Sequence, residues 1–387
     1  MRACIGIDAE IFVVDNNSSD GSRQWLGPRF PAVKFEWNPE NAGFAKANNA
    51  VLAEAKGEYV LFLNPDTIVA EDALKKCLDF FSQTPQCGAV GVRMVDGSGT
   101  FLKESKRSFP SPAFSFFKLS GLASLFPASK RFAGYYAGHL PNEKNHNVEA
   151  LSGAFMMLSR RAVNATSGFD EDFFMYGEDI DLSYRIRQAG LENWYFAGTT
   201  IIHFKGESTQ KLSASYTDHF YGAMKLFVQK HYHGRKGGLL LSTVAIPVAK
   251  TIGKVKQRFT ASAGAAGKPP ESIQTAIIAG QQRFDELLQL IKYAAVPLAI
   301  SGRISTDPAD KNFCIGHVSE VVALARKNNI RQLIFCEGEM SFKKIIQQVT
   351  NPALVANCLF IAAGSDSIVG STDKNAKGFF IAKPLAS

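Results

Sequence analysis

The sequence lacks several features that would assign it to common protein classes. Its 387 residues include six cysteines and no Cys-x-x-Cys pair. This argues against a zinc site or a disulfide framework and favours the reduced thiols of a cytosolic setting. No N-terminal signal peptide is recognisable, and no apolar run reaches the roughly 18 to 20 residues that a membrane span needs. Only Gly280 remains of a dinucleotide-binding fingerprint, so cofactor binding in the last third is weakly supported.

The composition is that of a globular protein with a basic balance. Hydrophobic residues make up 46% and charged residues 20% of the chain, and the formal net charge is +8. A positive excess suits anionic partners such as nucleotides, phospholipid headgroups or nucleic acid. The basic residues do not form a clustered stripe with interleaved aromatic residues, so we expect no nucleic-acid partner.

Strand-like and helix-like segments alternate through the first hundred residues. Residues 10–14, 33–37 and 59–63 read as strands, and Asp15 and Asp66 come just after the first and the last of them. The alternation predicts an α/β fold with an open, mostly parallel sheet and both carboxylates at one edge of it. With Lys46 on an intervening helix, they form a candidate site for a nucleotide and a metal, since Mg²⁺ or Mn²⁺ on a diphosphate needs one or two protein carboxylates. The alternative is an ordinary turn with a helix cap at each position.

The stretch from Gly168 to Gly190 combines acidic and aromatic residues and runs into an amphipathic helix. Glu178 and Asp179 stand at the start of that helix. Carboxylates held among aromatic side chains have raised pKa values or bind something positive, and both properties serve catalysis. The alternative is a helix cap that interacts favourably with the helix dipole.

Other candidate residues lie on either side of this stretch. Lys103, Lys106 and Arg107 are candidates to face an anionic ligand, or they belong to a solvated basic loop. His203 ends a β-branched run, which suits a metal ligand, and a capped surface histidine is the alternative.

Five segments of the chain form a recognisable series. In order, they are VVDNNSSDGS, NAGFAKANN, GEYVLFLNPDT, SGAFMMLSR and GFDEDFFMYGEDIDLSYRIRQAG. Taken together, they resemble the family 2 glycosyltransferases of the GT-A fold, especially their rhamnosyltransferase-like branch. The resemblance covers about residues 11 to 230. It implies transfer of a sugar from a UDP- or dTDP-sugar to a glycan or lipid-linked acceptor, with inversion and with Mg²⁺ or Mn²⁺, in cell-surface glycan synthesis.

The resemblance also implies roles for individual residues. Asp179 corresponds to the catalytic base, with Glu178 beside it. Asp66 corresponds to the metal-binding residue of an Asn-Pro-Asp version of the DxD motif, and His203 to a second ligand. The remaining expected nucleotide-sugar contacts are Asp15, Asn17, Lys46, Asn49, Asn64 and Arg107. The expected acceptor-side residues are Ser152, Gly153, Phe174 and Tyr176.

One part of the family pattern is not found. Family members usually begin with a strand and helix that form part of the nucleotide pocket, and residues 1–10 do not match them. We therefore expect a GT-A domain over residues 1–233 without its first strand and helix. The alternative function is a catalytically impaired fragment or remnant that acts as a binding module.

The rest of the chain is expected to form two further parts. Residues 234–272 combine an apolar run with a basic stretch and then a flexible linker. They predict peripheral contact with an anionic membrane, at the inner face of the cytoplasmic membrane, or else an interdomain helix. Residues 273–387 predict a Rossmann-like α/β domain with a structural or regulatory role.

Overall fold

The computed structural model describes most of the chain outside residues 233–271 and the C-terminal end. The described residues are 2–19, 21–111, 125–126, 129–131, 134–204, 214–232, 247–248, 251, 272–294, 298–310, 313–365 and 367–370. The predicted apolar, basic and linker segments of 234–272 therefore lie almost entirely outside the described residues. Among the described residues, no helix is long and apolar enough to cross a membrane.

The N-terminal unit alternates short strands with helices. Its strands are β1 (Phe12–Asp15), β2 (Lys34–Trp37), β3 (Tyr59–Leu63), β4 (Thr67–Val69), β5 (Cys87–Val95), β6 (His146–Val148), β7 (Phe155–Ser159) and β8 (Glu192–His203). Its helices are α1 (Ser22–Arg29), α2 (Phe44–Leu52), α3 (Ala73–Gln83), α4 (Arg160–Thr166), α5 (Glu178–Gln188) and α6 (Ala214–His231). Apolar side chains from both faces of the sheet fill its core, as expected for strands covered on both sides.

The main sheet of this unit is mixed rather than mostly parallel. Its strands lie in the order β3-β7-β5-β8-β4, with β6 beside β8. Only β5 and β8 pair in parallel, whereas β7 runs antiparallel to β3 and β5, and β4 and β6 run antiparallel to β8. Local patterns predicted the strands but not their directions, because direction depends on pairings between residues far apart in the chain.

Strands β1 and β2 stand outside this sheet and form a parallel pair of their own. The prediction that Asp15 and Asp66 lie at one edge of one sheet is therefore wrong. Asp15 ends β1, and Asp66 precedes β4 at the edge of the main sheet. A side-chain bond joins the turn after β1 to the start of helix α2, because the Asn16 amide donates to the Gly43 carbonyl at 3.0 Å.

The C-terminal unit is built around a second sheet that is parallel except at one edge. Its strands are β9 (Ile273–Ile278), β10 (Leu298–Ser305), β11 (Cys314–His317), β12 (Gln332–Cys336), β13 (Asn357–Ile361) and β14 (Ile368–Val369). Their order is β11-β10-β9-β12-β13-β14, with β14 antiparallel to β13. The helices are α7 (Gln281–Ile291), α8 (Val321–Lys327) and α9 (Phe342–Val349).

The two units share one hydrophobic core. Ile68, Ile202 and Phe204 of the first unit are buried in the same cluster as Ile278 and Phe360 of the second. Backbone bonds cross the same boundary, since the Cys358 N–H donates to the Gly97 carbonyl at 2.8 Å. The C-terminal unit therefore packs directly against strands β4 and β8.

Candidate active site

Asp66 and His203 face each other across the edge of the main sheet. Strands β4 and β8 pair Thr67 with His203, which brings the Asp66 Oδ1 and His203 Nε2 atoms to 3.2 Å. Both side chains are largely buried, at 13% and 10% exposure. Among the described residues, Asp66 Oδ1 and His203 Nδ1 have no hydrogen-bond partner. Buried polar atoms without partners are costly, so this pair is suited to hold a ligand.

A carboxylate and an imidazole are an appropriate donor pair for a divalent cation. Both Mg²⁺ and Mn²⁺ bind oxygen ligands readily, and Mn²⁺, a transition metal, also binds imidazole. Among the described residues there is no group of three or more His, Cys, Asp or Glu side chains that could hold a metal by itself. A metal at this pair would therefore rely on ligands from outside the protein, such as phosphate oxygens and water.

Asp179 lies in the first turn of α5, and two donors from other segments of the chain hold its Oδ2 atom. The Arg107 guanidinium donates to its Oδ2 at 2.5 Å, and the Gly153 N–H donates to the same atom at 3.1 Å. Both partners of the ion pair are largely buried, at 11% and 14% exposure. Burial alone would lower the pKa of the Arg107 guanidinium, but the Asp179 charge raises it, so this arginine stays charged. The pair fixes the carboxylate in one orientation.

Glu178, the preceding residue, is buried in a different way. Its side chain is 8% exposed, and its Oε2 atom has no hydrogen-bond partner among the described residues. Burial and then the neighbouring Asp179 charge raise the pKa of the Glu178 carboxyl well above its usual range. The sequence predicted that these carboxylates either bind a positive group or have raised pKa values. Asp179 does the first, since it pairs with the Arg107 guanidinium, and Glu178 does the second.

The loop before α5 is attached to helix α2. The Asn49 amide donates to the Phe169 carbonyl at 2.8 Å and accepts from the Phe169 N–H at 2.9 Å. At the other end of the loop, the Phe44 N–H donates to the Phe174 carbonyl at 2.9 Å. Asn49 was predicted to contact the nucleotide-sugar, but its side-chain amide is hydrogen-bonded to the protein backbone at Phe169. The loop holds Asp179 in place through these contacts.

Of the predicted acceptor-side residues, Gly153 lies beside Asp179. A Cβ on Gly153 would lie 3.4 Å from that of Asp179, so a larger residue there would crowd the carboxylate. Ser152 is buried, whereas Phe174 is 42% exposed and stacks on His219 with ring centroids 5.6 Å apart. Tyr176 adopts a left-handed backbone conformation with φ of 68°. His219 belongs to α6 and was not singled out by the sequence, because it lies outside the motif.

The predicted nucleotide-side residues are more dispersed. The Asp15 carboxylate accepts from the Ser18 N–H at 3.0 Å and so closes a local turn, and Asn17 within that turn is left-handed with φ of 65°. Lys46 is exposed on α2. Asn64 is joined to the acceptor side through its backbone, since its N–H donates to the Ala154 carbonyl at 3.0 Å.

A buried carboxylate one turn along α5 was not predicted to have a role. Asp181 is fully buried and accepts hydrogen bonds from Arg185 at 2.7 Å and from His231 at 2.6 Å. The bond from His231 attaches α6 to α5, whereas Arg185 lies on α5 itself. Lys106, another candidate for an anionic ligand, is buried and donates to the carbonyls of Ala137 and Leu140, so its charge is used within the protein.

Comparison with known proteins finds a matching family model and several sequence relatives. Residues 4–166 match the model of the family described as "Glycosyl transferase family 2". An N-acetylglucosaminyl-diphospho-decaprenol L-rhamnosyltransferase of Mycobacterium tuberculosis is 29% identical over 236 residues, which are 58% of this chain and 76% of that protein. The rhamnosyltransferase WbbL of Escherichia coli is 28% identical over 172 residues, which are 42% of this chain and 61% of that protein.

Similarity to solved structures is low. A mannosyltransferase from Pyrobaculum calidifontis, solved with GDP-Man and Mn²⁺, has a TM-score of 0.37 at 17% identity, covers 67% of each chain, and carries no argument here. The sequence relatives and the mixed α/β sheet confirm the predicted α/β fold of the GT-A type. The N-terminal unit is therefore similar to the family 2 glycosyltransferases, and the relatives that it resembles include rhamnosyltransferases.

Proposed function

We propose that this chain transfers a hexosyl residue, such as rhamnosyl, from a nucleotide-diphosphate donor to a polysaccharide or lipid-linked acceptor, with inversion. The observation that carries the proposal is the Asp179 carboxylate, held by Arg107 and the Gly153 N–H beside a loop that bears an exposed aromatic ring. A general base must be fixed within reach of the proton that it removes. The rhamnosyltransferase relatives support the same reaction.

In this mechanism the acceptor hydroxyl oxygen attacks the anomeric carbon of the donor sugar. The bond from that carbon to the diphosphate oxygen breaks, its electron pair leaves with the diphosphate, and the hydroxyl proton passes to Asp179. Attack from the side opposite to the leaving group inverts the anomeric centre. Arg107 and the Gly153 N–H orient the base, and Phe174 offers an apolar face on which an acceptor sugar can lie.

We propose that Asp66 and His203 hold Mg²⁺ or Mn²⁺ together with the donor diphosphate. When bound, the ion would neutralise charge on the leaving diphosphate. Support comes from the 3.2 Å approach of the two side chains and from their unpaired buried atoms among the described residues. Asp15, Asn17, Lys46 and Asn64 are proposed to contact the nucleotide-sugar, for which UDP- and dTDP-sugars are the candidates.

The proposed location is cytoplasmic, with peripheral contact at the inner face of the cytoplasmic membrane. A lipid-linked acceptor would bring the enzyme to that surface. The net charge of +8 suits an anionic leaflet.

The first experiment is a calorimetric titration of the full chain with UDP and with dTDP, each with and without Mn²⁺. We expect metal-dependent binding that Asp66→Asn weakens and Asp179→Asn leaves unchanged. Transfer to an N-acetylglucosaminyl-diphospho-lipid analogue should then be lost in Asp179→Asn, and the anomeric configuration of the product should be inverted. Wild-type transfer by Asp179→Asn would show that the base is another residue.

The second candidate function is a binding module that keeps the fold without efficient transfer. The observation in its favour is that, within the part of the chain that the structure describes, β1 and β2 have no strand pairing with the main sheet, so the Asp15 turn stands on a separate pair of strands. A folded wild-type chain that binds neither UDP nor dTDP would favour this candidate over the first.

A further inference from the structure

The strands that carry the proposed metal residues lie between two hydrophobic cores. Successive side chains on a strand point to opposite faces. Ile201 packs in the core of the N-terminal unit, whereas Ile202 and Phe204 pack in the core that the two units share. His203 stands between these last two residues, and the Phe204 N–H donates to the Asp66 carbonyl at 2.8 Å. The positions of Asp66 and His203 therefore depend on packing supplied by the C-terminal unit.

A second contact between the units lies at Glu71, three residues after Ile68 and five after Asp66 in the sequence. Its two carboxylate oxygens accept from the first N–H groups of helix α9, Phe342 at 2.7 Å and Lys343 at 3.0 Å. These groups have no partner within their own helix, and the negative charge also suits the helix N-terminus. The Lys343 ammonium adds an ion pair with Asp72 at 2.7 Å, which is exposed and contributes less.

We infer that Glu71 is a positioning residue for the Asp66–His203 pair and that the C-terminal unit acts through it as a structural support of the donor site. The inference rests on the proposed function of that pair. Helix α9 covers β4, which is an edge strand of only three residues, Thr67–Val69. So short an edge strand has few ladder bonds of its own, and its order depends on what covers it. The link from Glu71 to α9 fixes the chain just after this strand.

The two units also pack against each other through a common core. A regulatory module joined by a flexible linker would have a hydrophobic core of its own and would contribute no side chains to the core of the transferase unit. Here the strand that bears His203 contributes Ile202 and Phe204 to a core that contains Ile278 and Phe360 of the C-terminal unit. Removing that support would expose apolar side chains directly behind the metal residues.

The test compares two variants of the full chain that both disturb the N-terminus of α9. Glu71→Gln replaces one accepting oxygen by an amide N–H₂ group, which cannot accept from the helix N–H groups. Ser341→Ala is the matched control, because Ser341 caps the same helix from within its own unit by accepting from the Lys344 N–H at 3.3 Å. Both variants weaken the helix cap, and only the first cuts the link between the units.

Two measurements are made on each variant: amide hydrogen exchange of residues 66–69 and 202–204, and Mn²⁺ affinity by electron paramagnetic resonance in the presence of dTDP. For Glu71→Gln we expect faster exchange at both segments and an increase of about tenfold in the Mn²⁺ dissociation constant, as for losses in the outer shell of metal sites. Ser341→Ala should leave both values at those of the wild type.

The failures of the inference and of the proposed function can be distinguished. Equal exchange and equal Mn²⁺ affinity in Glu71→Gln and the wild type would overturn the positioning role while leaving the metal site in place. The same effect in Ser341→Ala would overturn it too, since the helix cap alone would then explain the change. A wild type that binds no Mn²⁺ would overturn the metal assignment and, with it, the role of Glu71 as its support.

Discussion

At the scale of single residues, the site depends on two neighbouring carboxylates in different environments. Asp179 has the Arg107 guanidinium and the Gly153 N–H, whereas Glu178 has no hydrogen-bond partner on Oε2 among the described residues. Desolvation favours the neutral form of a carboxyl, and a nearby cation favours the charged form. At the start of helix α5, Asp179 therefore supplies a negative charge in a fixed position, and the neighbouring Glu178 supplies a carboxyl group that tends to keep its proton.

Glu178→Gln should make the folded chain more stable, increasingly so as the pH rises. The pKa of the folded Glu178 carboxyl lies above its value in the unfolded chain, about 4.3. Between these two pKa values the folded state holds a proton that the unfolded state has released, so this group reduces stability as the pH rises. Glutamine resembles the protonated carboxyl and removes the effect.

Thermal unfolding of both proteins at pH 4, 6 and 8 measures this difference. The two melting temperatures should be similar at pH 4 and diverge in favour of Glu178→Gln above it. Glu54→Gln, at an exposed position near the end of α2, is the control and should show no such trend. A melting-temperature difference that stays constant with pH would contradict the raised pKa of Glu178.

At the scale of elements, the short segments were easier to predict than their partners. The strand Tyr59–Leu63 has the bounds that the sequence predicted. The separate β1–β2 pair and the antiparallel β7 were not predicted, because pairing is decided by contacts distant in sequence. The contact between Arg107 and Asp179 spans 72 residues and has no local signal either.

Asn49→Ala should loosen the loop that leads into α5 and Asp179, rather than remove a contact with the sugar donor. Its amide bonds twice to the Phe169 backbone, and the variant leaves that N–H and carbonyl without those partners. Loss of partners at partly buried groups costs about 1–3 kcal/mol of stability. We expect a lower kcat with an unchanged donor KM, measured in the transfer assay together with the melting temperature.

The neighbouring asparagine is a matched control for this prediction. The Asn48 amide donates to the Phe44 carbonyl one turn back on the same helix and, among the described residues, makes no hydrogen bond to the loop. Asn48→Ala should therefore leave kcat near that of the wild type. A rise in donor KM in Asn49→Ala with kcat unchanged would restore the role in donor binding that the family resemblance implied for Asn49.

At the scale of the whole molecule, the shared core joins two α/β units that sequence patterns treat as separate. Patterns along the chain identify the strands of each unit but carry no information about which outer faces meet. Phe204, at 3% exposure, and Ile304, at 0%, look like ordinary core residues of their own units until the structure places them in one cluster. Domain boundaries drawn from linkers therefore describe chain composition better than they describe stability.

The two units should unfold together, and a side chain that forces them apart should make them unfold separately. A Cβ added at Gly97 would lie 2.8 Å from the Cys358 carbonyl oxygen and 3.1 Å from the Phe204 ring, so Gly97→Ala forces one of them to move. In the wild type we expect one calorimetric transition, with a van't Hoff enthalpy close to the calorimetric value, because exposing either unit exposes the common core. In Gly97→Ala the transition should broaden or split.

Gly222→Ala, on α6 where an added Cβ meets nothing within 4 Å, is the control and should retain one transition. Two well-separated transitions in the wild type would show that the units unfold independently, and the shared core would then contribute little to the cooperativity of the chain.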